Sequence, residues 1–151
     1  MSLFELRDVR MAFDGRVVLD LPRLEIGRGL AYSLQGPNGA GKSTLLGILS
    51  FLNAPHEGDV FFLGEPVVWK ESYLRPLRRQ VALVEQHPVM FSRSVRENVG
   101  YGLAIRGVPR AERDRKVDEA LELVGLAHLA EVYAPRLSGG ETQRVAIARA
   151  L

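Results

Sequence analysis

Nine consecutive residues, Gly36-Pro37-Asn38-Gly39-Ala40-Gly41-Lys42-Ser43-Thr44, carry the clearest chemical signal in the chain. Gly36 and Gly41 with Lys42-Ser43 have the spacing of a loop that wraps a phosphate. Gly39 removes one more Cβ where backbone N–H groups must turn inward around an anion. The amides of Gly39 through Thr44, Ala40 included, are expected to face the α- and β-phosphates of a nucleotide, helped by the positive end of a following helix. The Lys42 ammonium has the reach for the β- and γ-phosphates, and Ser43 offers a hydroxyl to Mg²⁺. A plainer account of the same residues is a Gly-Pro-Asn-Gly turn before an ordinary helix start, since those residue types favour turns for local reasons.

A second candidate is Leu137-Ser138-Gly139-Gly140-Glu141, followed by Thr142-Gln143-Arg144-Val145-Ala146-Ile147-Ala148. Ser138 can cap a helix while Glu141 returns the reciprocal bond, and Gly139 and Gly140 leave the first-turn amides sterically open. Bare amides at a positive helix end can hold a phosphate. A capped amphipathic helix explains the segment equally well, with Val145, Ile147 and Ala148 as its buried face.

These groups need elements to hold them. Leu30–Gln35 reads as a strand entering the glycine-rich loop and Lys42–Phe51 as the helix leaving it. Leu3–Val9, Val17–Ile26, Val60–Leu63 and Val81–Val84 also read as strands, several bounded by Gly or Pro. From about Phe91 the pattern turns helical. Ser94 with Glu97 resembles a capping box, and Val117, Ala120, Leu121 and Val124 form a one-sided stripe that stops at Gly125. Arg106-Gly107-Val108-Pro109 leads into that helix and Gly125-Leu126-Ala127-His128 leads out.

Composition narrows the class. A chain of 151 residues, 46% hydrophobic and 25% charged, can bury one substantial core. A net charge of +2 with scattered Lys and Arg gives no argument for direct nucleic-acid binding. Zero cysteines exclude disulfides and thiolate metal sites, and three histidines make a zinc cluster a poor reading. No run approaches 18 apolar residues, and Met1-Ser2-Leu3-Phe4-Glu5 lacks the start of a signal peptide, so the chain is expected on the cytoplasmic side.

Three ordered motifs together make the chain resemble the ATP-binding cassette (ABC) ATPases, the nucleotide-binding domains of ABC transporters. Gly36 to Thr44 is similar to that family's Walker A loop, Gln86 in Val84-Glu85-Gln86-His87-Pro88 to its Q-loop glutamine, and Leu137 to Glu141 to its signature. Phe13, in Met11-Ala12-Phe13-Asp14-Gly15-Arg16, sits where the family usually has an aromatic that stacks on adenine; a Phe before a turn is also commonly plain core. The resemblance implies an α/β fold with a P-loop NTPase-type sheet core and a helical signature subdomain. Residues 1–88 and 141–151 would belong to the ATP-binding core and residues 89–140 to the helical subdomain.

The resemblance also implies roles. Lys42 and Gln86 would be the catalytic pair on the γ-phosphate side, and Ser43 with Gln86 would face Mg²⁺. ATP would lie on Phe13, Gly36, Asn38, Gly39, Ala40, Gly41, Lys42, Ser43 and Thr44. Ser138, Gly139 and Gly140 would face the nucleotide held by a second ATP-binding subunit in a head-to-tail dimer. The further partners implied are transmembrane permease subunits, with the protein peripheral on the inner face of the cell membrane and importing a small solute, oxyanions among the options. A non-transport cassette ATPase of DNA maintenance or translation, and a degenerate nucleotide-binding module, are the alternatives.

The sequence departs from the family pattern at Leu151, before the Walker B strand, the catalytic glutamate, the D-loop and the switch histidine. The expectation is therefore an N-terminal portion, truncated before Walker B and with negligible hydrolysis by itself. Glu85 and Asp59 read as peripheral or turn residues, and His87 has no visible acid or metal partner.

Overall fold

A computed structural model describes residues 2–151 of the chain, which pack as two compact units, residues 2–82 and 83–151. The first holds a four-stranded antiparallel sheet of order β2-β1-β3-β4, where β1 is Ser2–Phe13, β2 Arg16–Gly27, β3 Glu57–Phe62 and β4 Glu65–Pro66. Helices α1 (Lys42–Leu49) and α2 (Glu71–Leu77) complete it. The class is α/β, as the sequence predicts; β1 and β2 extend past the expected ends, and β3 starts before Val60 and stops at Phe62, one residue short of the expected Leu63.

β1 keeps its apolar residues in the core despite a break in alternation. Phe4 and Leu6 are buried, then Val9 and Met11, with the phase reset between the two pairs. Asp8 takes a φ of +50°, and the register with β3 shifts between Arg7 and Arg10. That bulge turns both pairs to one face. Gly58 closes against it at φ +88°, where a Cβ would meet the Arg7 and Asp8 carbonyls. The rings of Phe4, Phe51 and Phe62 then stack with centroids 4.8–5.7 Å apart, beside Leu45 and Ile48 of α1.

Two expected strands are absent. Leu30–Gln35 and Val81–Val84 keep the apolar alternation of strands, yet neither exchanges a backbone hydrogen bond with another described segment. Leu30, Tyr32, Leu34, Leu83 and Val84 stand exposed. A strand is defined by its neighbour, and no described residue pairs with these two. The helix expected to reach Phe51 ends at Leu49, because Phe51 adopts φ +59° and turns its ring into the core.

The second unit packs α3 (Val95–Ile105), α4 (Arg110–Leu123) and α5 (Gly139–Ala150), with two short 3₁₀ turns at Ala127–Leu129 and Ala134–Arg136. Val95, Val99, Val117, Ala120, Leu121, Leu126 and Val145 form its core. Ser94–Glu97 and Ser138–Glu141 both form complete capping boxes. Residues 141–151, expected with the ATP-binding core, lie in and just after α5, which packs on α3 and α4. Ile147, expected in the buried face, is 43% exposed, and Ala146 is buried in its place beside Val145 and Ala148. The stripe at 145, 146 and 148 turns the 147 position outward.

Candidate functional site

The sequence-predicted residues divide between the units. Phe13 and residues 36–44 belong to the first, and Gln86 with Ser138, Gly139 and Gly140 to the second.

The glycine-rich loop is exposed at every residue from Gly36 to Ala40 and enters α1 through Gly41, in the left-handed region at φ +79°, ψ 6°. Only glycine takes that conformation without strain. A Cβ on Gly41 would also collide with the Val18 carbonyl oxygen. Val18 is the extra residue of β2 where its register with β1 shifts between Met11↔Leu19 and Ala12↔Val17. A bulge in β2 thus seats the loop, a contact that sequence reasoning did not anticipate.

Helix α1 begins bare. It has no side-chain cap and no acidic residue in its first turn, whereas α3 and α5 both carry a Ser–Glu box. Among the described residues, the amides of Gly39, Gly41, Lys42, Ser43 and Thr44 have no acceptor in the chain. The Ala40 amide differs from expectation, since it donates to the Pro37 carbonyl at 3.3 Å and closes the turn. Open donors at a positive helix end suit an anion. The Lys42 ammonium folds back over the loop and donates to the Gly36 and Pro37 carbonyls, 2.7 Å each. The Ser43 hydroxyl is exposed and makes no hydrogen bond to another described residue, which leaves an oxygen donor of the kind a hard divalent cation takes. Among the described residues no group of three or more His, Cys, Asp or Glu side chains is placed to hold a metal ion.

Phe13 stands 50% exposed at the end of β1, just before the Asp14-Gly15 turn. That exposure suits a ring offered to a base and removes the core reading. The neighbour that sequence reasoning missed is His56, whose ring meets Phe13 edge-on at 6.4 Å between centroids.

In the second unit, Gln86 is exposed, and its backbone carbonyl accepts from Gln143 Nε2 of α5 at 3.5 Å. Further along the same segment Arg149 donates to the Val89 carbonyl at 3.1 Å and lies over the Phe91 ring. Asn98, wholly buried, accepts from the Phe91 amide at 2.8 Å and donates to the Phe91 and Ser94 carbonyls. The stretch after Gln86 is therefore anchored to α3 and α5. Asn98 has a sequence signal in retrospect: a polar residue between Val95 and Val99 on one helical stripe.

At the start of α5, the Ser138 hydroxyl donates to Glu141 Oε2 at 2.6 Å and the Ser138 amide to the same oxygen at 2.8 Å. These bonds, the hydroxyl's first, hold the Glu141 carboxyl below its ordinary value. Gly139 and Gly140 have open space where a Cβ would be, and neither has a positive φ. Among the described residues nothing requires glycine there, although glycine in a helix interior costs about 1 kcal/mol relative to alanine.

Residues 19–151 match the family model described as "ABC transporter". The methionine import ATP-binding protein MetN of Geobacillus kaustophilus is 41% identical over 154 aligned positions, covering 100% of this chain and 45% of that protein. The Fe(3+) ions import ATP-binding protein FbpC of Pasteurella multocida is 44% identical, covering 97% of this chain and 41% of that protein. The chain thus spans less than half the length of these curated relatives. Among solved structures, cbiO1 of Clostridium perfringens, part of the ABC transporter complex cbiONQ, superposes with a TM-score of 0.89 at 31% identity over 99% of this chain and 61% of its own. A dimeric ATP-binding cassette in a post-hydrolysis state, bound to ADP and Pi, superposes at 0.87 with 31% identity over 98% of this chain and 68% of its own.

Proposed function

The chain belongs to the ABC transporter family, and from that membership we propose that it is the N-terminal portion of an ATPase subunit that drives import of a small solute through a membrane permease. The observation that carries the reading is the bare start of α1: five unpaired amides, no acid, no cap, and an ammonium folded over the loop. An anion with several oxygens is the ligand those groups suit.

In this reading Gly36, Asn38, Gly39, Ala40, Gly41, Lys42, Ser43 and Thr44 hold the triphosphate of ATP, and Phe13 stacks on adenine. Lys42 and Gln86 act at the γ-phosphate. The Ser43 hydroxyl and the Gln86 carboxamide are the oxygen donors toward Mg²⁺, which when bound neutralises charge on the phosphates. Ser138, Gly139 and Gly140 serve the nucleotide on a second ATP-binding subunit, head to tail. The open, unstrained glycines support this, because close approach by an outside group is what a missing Cβ permits. Residues 1–88 and 141–151 form the ATP-binding core of the complete subunit and 89–140 its helical subdomain.

Hydrolysis in this reading needs a carboxylate that activates water and an acidic partner for Mg²⁺, roles we assign to none of the acids among residues 1–151, and phosphate release by these residues alone is expected to be negligible. No described helix is long and apolar enough to cross a membrane, and attachment to the inner face of the cell membrane runs through the permease subunits. Titration calorimetry of Mg-ATP into wild type and Lys42→Ala tests the core of the proposal. Binding by wild type that weakens at least about tenfold in the variant is expected, in line with loss of a charge-assisted contact; equal affinities refute it.

A further inference from the structure

We propose that His56 is a positioning residue for nucleotide binding, holding Phe13 in place; the proposal rests on the reading of Phe13 as the adenine platform. Strand β3 begins at Glu57, whose partner on β1 is Arg10. Past Arg10, β1 runs on to Phe13 with no β3 residue paired beside it. His56 takes over there. Its amide donates to the Arg10 carbonyl at 3.0 Å, and its Nδ1 accepts from the Ala12 amide at 3.3 Å. An imidazole nitrogen thus supplies the next acceptor in the ladder, one position before β3 starts. That bond requires an unprotonated Nδ1, with any proton of the neutral ring on Nε2.

The same ring then meets Phe13 at an interplanar angle of 61°. Phe13 is followed by Asp14 and Gly15 at φ +49° and +77°, the signs of a tight two-residue hairpin turn that pairs Phe13 with Arg16. Phe13 is therefore held along the backbone by the turn on one side and by the His56-bonded Ala12 on the other, while half of its surface stays open. A platform oriented before the base arrives loses less side-chain freedom on binding. His56 contributes that order without touching the nucleotide.

The test uses the full-length protein, with Mg-ATP and Mg-tripolyphosphate as probes, the second having phosphates and no base. Phe13→Ala weakens Mg-ATP binding about tenfold and leaves tripolyphosphate unchanged. His56→Ala weakens Mg-ATP about two- to tenfold, again sparing tripolyphosphate. His56→Asn, whose carboxamide oxygen can accept from Ala12, restores most of the affinity. If Phe13→Ala leaves ATP binding unchanged, the platform reading fails and this proposal with it. If Phe13→Ala weakens binding but His56→Ala does not, His56 alone loses its role. Equal losses for both probes, or no rescue by asparagine, overturn the positioning role as well.

Discussion

Replacing Gly41 with alanine separates two demands that the glycine-rich loop makes on its residues. Gly39 and Gly41 share a left-handed backbone, at φ +82° and +79°. An L-residue there costs about 1–2 kcal/mol. The surroundings differ: a Cβ on Gly39 meets nothing within 4 Å, whereas one on Gly41 runs into the Val18 carbonyl oxygen and comes within 3.2 Å of Leu19 Cδ1. The leucine methyl can give way, but the carbonyl belongs to a strand paired with β1. Forcing it aside adds about 1–3 kcal/mol, the usual cost of overpacking. Gly39→Ala is then expected to lose about 1–2 kcal/mol and Gly41→Ala about 2–5, a substantial fraction of the roughly 5–15 kcal/mol that holds a typical domain folded. The assay is urea unfolding of the 151-residue chain followed by Trp69, its one tryptophan, which packs against the core that α1 helps to form. With a slope of about 1–3 kcal/mol per molar, the two midpoints should differ by roughly 1 M. Coincident midpoints would mean that the β2 bulge does not seat the loop.

Gly139→Asp, read in the complete protein with hydrolysis blocked, should leave ATP binding by the monomer intact and abolish ATP-induced dimerisation in sedimentation; a dimer of wild-type strength would return the segment to a plain capped helix. The carboxyls of Glu97 and Glu141 are both held below 4.5, Glu97 mainly by the Ser94 amide and Glu141 mainly by the Ser138 hydroxyl. Their contribution to stability is full above the unfolded value near 4.5 and is lost as pH falls through the lowered folded value. Carboxyl NMR titration should place both inflections below that of an exposed glutamate, and Ser138→Ala should move only that of Glu141 upward. Asn98→Ala leaves the amide and carbonyl of Phe91 without their partner and should cost about 1–3 kcal/mol in chemical unfolding, with the loss confined to the second unit.

What the sequence showed depended on how local the determining chemistry was. The glycine-rich loop and the two Ser–Glu caps are legible because their groups lie within nine residues of one another, so residue type and spacing nearly define the geometry. The stripe Val117, Ala120 and Leu121 is legible for the same reason. Leu30–Gln35 and Val81–Val84 misled because alternation records a strand's faces and says nothing of the partner that supplies its hydrogen bonds. Pairings across distance left no trace: His56 with Ala12 spans 44 residues, Arg149 with Val89 spans 60, and the Val18 bulge beneath Gly41 is a register shift without a residue signature. The difference between Ile147 and Ala146 is one of helical phase, fixed by which neighbours α5 meets.

The two carbonyls that hold the Lys42 ammonium have a consequence for every measurement made on that residue. Under the proposed function, nucleotide capture at this loop is an exchange: the ammonium now donates to the Gly36 and Pro37 carbonyls, and turning it to a phosphate oxygen would leave those carbonyls to solvent. Truncating Lys42 thus changes the resting loop as well as the loaded one, since the empty turn loses the cation that bridges its first two residues. The affinity lost on truncation is a difference between two displaced states. A lysine analogue that keeps the carbonyl bridge but cannot reach the phosphate would measure the second state alone.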